Sequence, residues 1–90
     1  MMVLVCTSGV THAGWWDCTV KIIDKHWGYD RYNSQATLEV EGDRRTNAEY
    51  AAVKHRFYKK GFLSSKLVCA SGDTDNACKL WADSAECRRQ

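Results

Sequence analysis

Ala77-Cys78-Lys79-Leu80-Trp81-Ala82-Asp83-Ser84-Ala85-Glu86-Cys87-Arg88 is the stretch on which the fold turns. Cys78, Trp81, Ala82 and Ala85 recur at helical spacing, so the segment reads as a helix with one apolar face. The polar run Ser71-Gly72-Asp73-Thr74-Asp75 before it supplies turn chemistry that could cap its start. Upstream again, Leu63 to Ala70 reads as a strand, with Leu63, Leu67 and Cys69 on one face and Val68 on the other.

Further toward the N-terminus, Thr46-Asn47-Ala48-Glu49 has the form of a capping box. It predicts a helix running to Lys60, with Tyr50, Val53 and Phe57 in one stripe and Arg56, Lys59 and Lys60 in its last turn. Gly61 is then the expected left-handed C-cap, with Phe62 closing over it. Before the helix, Trp16, Cys18, Val20 and Ile22 alternate with Asp17, Thr19, Lys21 and Ile23, and Ala36, Leu38 and Val40 alternate with Thr37, Glu39 and Glu41. Period-two alternation in both runs predicts an antiparallel hairpin, with Gly28 to Ser34 as its turn. The expected fold is therefore α+β in the order β-β-α-β-α: a small three-stranded antiparallel sheet with two helices on one face.

The first thirteen residues carry no charge and end Thr11-His12-Ala13, which reads as the end of a secretory signal, short and lacking a positive start. Residues 14–90 then form the single domain. A body this small has a thin core, and staples commonly make up the shortfall. Removing the leader takes Cys6 with it and leaves Cys18, Cys69, Cys78 and Cys87, an even set expected to form disulfides in an oxidising compartment, secreted or periplasmic. In an unbroken helix Cys78 and Cys87 stand roughly 13.5 Å apart along the axis, too far to join. The favoured pairs are Cys69 with Cys78 and Cys18 with Cys87.

No motif for catalysis stands out, and no cofactor is expected. Zinc sites need ligand pairs two to four residues apart, and these cysteines have none. His26 and His55 have no neighbouring cysteine or local nucleophile. Asp17, Asp24 and Asp30 form no recognisable acid–base pair. A net charge of +2 does not demand a polyanionic partner. Two surfaces carry binding potential: the tryptophans Trp15, Trp16 and Trp27, and the cations Lys54, Arg56, Lys59 and Lys60 of the first helix. Trp15 and Trp16 are adjacent, so a strand turns one of them outward. The expected function is a non-catalytic protein-binding module of inhibitor, immunity-type or envelope-accessory character. The alternatives are a nucleic-acid-binding module using the Lys54–Lys60 helix and, third, a small thiol-dependent or hydrolytic enzyme. No membrane span is expected, and the partner is expected to be another protein.

Overall fold

The computed structural model describes residues 14–26 and 28–90. Residues 1–13, where a leader is expected, with Cys6 and His12, and Trp27 lie outside the described residues. The elements are β1 (Gly14–His26), β2 (Tyr29–Gly42), α1 (Arg45–Ala52), β3 (Phe57–Lys60), β4 (Ser65–Cys69) and β5 (Leu80–Arg89). They form one five-stranded sheet in the order β2-β1-β5-β4-β3. All neighbours are antiparallel except β4 and β5, which run parallel. Among the described residues the sheet is thus mixed and five-stranded with one short helix, not three-stranded with two helices. The order is β-β-α-β-β-β.

The largest correction concerns the decisive segment, whose greater part is the strand β5. Its inward residues are Leu80, Ala82, Ala85 and Cys87, spaced two, three and two apart. The step of three comes from a bulge: Lys21 pairs with Ser84 and Ile22 with Ala82, leaving Asp83 as the extra residue. One inserted residue in a period-two pattern gives a spacing that imitates helical periodicity. A second bulge faces it across β1, where Ile22 pairs with Ser34 and Ile23 with Tyr32, leaving Asn33 over. Bulges raise local twist. The two flank the same point of β1, the middle strand of the ribbon β2-β1-β5.

The hairpin β1–β2 is also longer than expected. Gly28 to Ser34 is not an open turn, because Tyr29 to Ser34 belongs to β2 and pairs along β1. Gly28, at φ +86°, takes the tight reversal that a side chain would resist.

The helix α1 ends at Ala52, eight residues short of Lys60. Val53 leaves helical geometry, and Phe57 to Lys60 pairs with Ser65 to Val68 instead. Every residue there tolerates helix, but pairing Phe57 opposite Val68 brings the aromatic ring to the core, and tertiary contact overrides propensity. Gly61 is accordingly a turn residue whose amide donates to the Ser64 carbonyl at 2.7 Å, not a helix cap. The expected capping box is not formed either. Arg44 is the N-cap without a side-chain bond, and the Glu49 carboxylate accepts from the Cys87 backbone amide at 3.0 Å. That bond satisfies a strand edge, since β4 accompanies β5 only at Leu80 and Trp81.

The core lies between α1 and the face of the sheet carrying Trp16, Cys18, Val20 and Ile22. Ala48 and Ala52 are the buried helix residues, and their small side chains let α1 approach closely. Gly42 serves the same end: a Cβ there would stand 3.2 Å from the Ala48 nitrogen. Leu38 and Val40 on one edge strand and Phe57 on the other pack against the same cluster, so the sheet curls around the helix. Disulfides join Cys18 to Cys87 and Cys69 to Cys78. The helical rise that set Cys78 apart from Cys87 does not exist. The Cys18–Cys87 bridge instead links directly opposed residues of adjacent strands, with α-carbons 3.9 Å apart.

Candidate functional site

Strand alternation sends Trp15 and Trp16 to opposite faces. Trp16 is buried and its Nε1 donates to the Gly42 carbonyl at 2.8 Å, while the Arg89 guanidinium stacks on its ring at 4.7 Å. It is a core residue, which also ties the two ends of the hairpin together. Trp15 is 51% exposed. It lines a largely apolar groove walled by Leu38 to Glu41 of β2 and by Ala51, Ala52 and His55 to Phe57.

Four consecutive residues of β2 line this groove, so its wall is a strand edge and not a sheet face. Among the described residues β2 pairs only with β1. The register fixes which of its backbone groups are open. Opposed residues whose α-carbons come this close form a non-hydrogen-bonded pair. The Cys18 backbone therefore turns away from Cys87 toward Leu38, its partner on β2. Thr37, Glu39 and Glu41, the alternate residues, then direct their N–H and C=O groups outward. Among the described residues the result is an unpaired polar ladder beside an apolar trough.

The expected cationic strip does not assemble on one helix. Lys54 follows the helix end and its ammonium sits 4.5 Å above the Tyr50 ring. Lys59 and Lys60 are successive residues of β3 and face opposite sides. Arg56 is occupied: its Nε donates to Asp73 Oδ2 at 2.8 Å and its Nη2 to Asp75 Oδ2 at 2.9 Å. These bonds hold the Arg56 proton more tightly than usual. Asp73 is pulled below the ordinary carboxylate range, chiefly by Arg56, and Asp75 chiefly by the Ala77 amide and then by Arg56. Asp43 is lowered as well, first by the Asn47 side-chain amide. Each of these groups is stabilised in its charged form, the opposite of a poised general acid.

Other chemistries find little footing among the described residues. Asp24 faces Arg31 at 3.6 Å and Asp17 accepts from the Gln90 amide, so neither belongs to a carboxylate pair. Cys69, Cys78 and Asp73 lie close together, but both sulfurs are consumed by the bridge and offer no thiolate to a metal. Among the described residues no helix is long and apolar enough to cross a membrane. The two disulfides fit an oxidising compartment.

Sequence reasoning found Trp15 but missed the groove beside it. The alternation of residues 36–41 reveals a strand, yet nothing in it says that the strand is an edge. That depends on β5 taking the other side of β1. No family model matches the chain, and no curated protein or solved structure matches it.

Proposed function

We propose that this chain is a non-catalytic protein-binding module of a secreted or periplasmic compartment, which takes an extended peptide as an added strand along β2. The observation that carries this reading is the groove between β2 and the α1–β3 connection. An open strand edge offers main-chain hydrogen bonds, and the adjoining apolar wall receives alternate side chains of the guest. Fourteen residues of edge strand are also an association hazard, and a bound guest covers it. Inhibitor, immunity-type and envelope-accessory roles are all compatible with such a site.

Nucleic-acid binding has less support, since the helix meant to display its cations ends at Ala52 and Arg56 is already paired. Among the described residues a hydrolytic or thiol mechanism has no assembled groups to argue from.

Selection of extended peptides from a displayed random library against the oxidised protein tests the reading. Peptides so obtained should shift the amide resonances of Thr37, Glu39 and Glu41 and lose at least about tenfold in affinity against Trp15→Ala, a typical hot-spot loss. N-methylation at alternate peptide positions should abolish binding, because it removes the ladder donors. Selection of no peptide, or of peptides indifferent to N-methylation, counts against strand addition.

A further inference from the structure

The hairpin β3–β4 forms the sheet edge opposite β2, and its tip is built unlike the rest of the surface. Phe62 is 99% exposed and Leu63 89%, two successive apolar side chains with essentially no protein contact. Tyr58, also exposed, stands on the adjoining strand. The bond from the Gly61 amide to the Ser64 carbonyl closes the turn, and a Cβ at Gly61 would come within 2.9 Å of that oxygen. The tip is therefore held in shape with its two apolar chains outward.

Cations flank it in sequence. From Tyr50 to Gly72 there is no Asp or Glu, while Lys54, Arg56, Lys59, Lys60 and Lys66 fall in that span. Lys59 lies directly opposite Lys66 in the β3–β4 ladder, a like-charge pairing that works against the hairpin. Lys66 also shares a shallow hollow with Lys79, floored by Leu67, Ala77 and Leu80. Among the described residues Lys59, Lys60, Lys66 and Lys79 enter no ion pair, and Asp73 and Asp75, the first acidic groups after Lys66, are taken by Arg56.

We propose that this hairpin docks the protein on an anionic lipid bilayer, with Phe62 and Leu63 entering the boundary between headgroups and acyl chains and Lys59, Lys60, Lys66 and Lys79 meeting lipid phosphates. The shape favours a bilayer over a protein pocket. A protein hot spot sits centrally in a patch whose rim excludes water, whereas these side chains crown a convex turn with a charged collar. A bilayer accepts such a wedge, and its anionic surface relieves the repulsion between Lys59 and Lys66. The site is independent of the β2 groove.

Co-sedimentation of the oxidised chain with phosphatidylcholine vesicles, with and without phosphatidylglycerol, tests the proposal. Binding should require phosphatidylglycerol and weaken as salt is raised. Phe62→Ser with Leu63→Ser should weaken it at least about tenfold, from the lost apolar burial. Lys60→Ser and Lys66→Ser should each weaken it about fivefold. All four side chains are exposed, so folding is unaffected, and Trp15→Ala should leave vesicle binding unchanged even where it abolishes peptide binding. Absence of binding to the phosphatidylglycerol vesicles overturns the proposal. So does binding indifferent to the Phe62 and Leu63 substitutions, or a tip that captures a soluble protein while ignoring vesicles.

Discussion

The two sides of the sheet are held by different means. On one side, β2, β1 and β5 form a long antiparallel ribbon: β1 is paired with β2 along its whole length and with β5 over most of it, and α1 covers the inner face. On the other, β3 and β4 attach to that ribbon through only two parallel pairs, Val68 with Leu80 and Cys69 with Trp81. Three further ties gather near this junction. The Cys69–Cys78 bridge crosses the loop, Trp81 Nε1 donates to the Asp73 carbonyl, and Arg56 grips Asp73 and Asp75. The Ser71 amide adds a bond to the Val53 carbonyl. Where the ladder is long, packing and pairing define the structure. Where it is two residues long, a covalent link and a clamped loop take their place.

The largest effect should come from the bridge within the ribbon. Replacing Cys18 and Cys87 together by Ala opens a loop of 69 residues. The chain-entropy model puts that at about 4 kcal/mol, against a total of about 5–15 kcal/mol for a typical domain. A denaturant titration should show the whole transition moving, with β1 and β3 amides losing protection together. A loss below about 1 kcal/mol would mean that the ribbon's pairing suffices without sulfur, and the contrast between the two sides would sharpen. Replacing Cys69 and Cys78 should cost less, about 2.5 kcal/mol for a loop of nine. Its mark should also be local. Amide exchange should accelerate at Tyr58 and Leu67 while the β1–β2 amides keep their protection. Equal acceleration in both regions would mean that the sheet opens as one unit.

The same contrast explains what the sequence yields to reading. Residues 16–22 and 36–41 alternate cleanly because one face of the ribbon is buried, and both strands are legible. The fate of Ala77 to Arg88 is not. A single bulge residue, Asp83, converts an inward set at period two into a spacing that helix and strand share, and the choice is made by β1, about sixty residues upstream. Likewise Phe57 to Lys60 joins a helix-tolerant run, and only its pairing with β4 makes it a strand. The cysteines announce cross-links by their number, yet the helical rise that would separate Cys78 from Cys87 is absent from the fold. Of the candidate surfaces, Trp15 is legible as an exposed aromatic. The β2 groove and the β3–β4 tip depend on which strands lie at the edges, a property of the assembled sheet. Phe62 reads naturally as a cap-closing residue until the helix before it is known to stop at Ala52.

The weakest tie on the smaller side is the ion pair, and it can be resolved residue by residue. Arg56 is partly exposed, so its bonds to Asp73 and Asp75 contribute modestly and are screened by salt. Both carboxyls lie below the ordinary aspartate value of 3.8 in the folded chain. Their stabilisation is therefore complete above the unfolded value, near pH 4, and is lost as pH falls through the lowered folded values. Arg56→Gln should flatten that acid dependence without touching the neutral-pH fold. The two carboxyls should nevertheless respond unequally. Asp73 owes its depression first to Arg56, whereas Asp75 owes it first to the Ala77 amide. A carboxyl-carbon NMR titration of the variant should thus find Asp73 displaced upward more than Asp75. If both rise together, the Asp75–Ala77 turn depends on the arginine, and the loop is ordered by charge instead of by its own backbone hydrogen bonds.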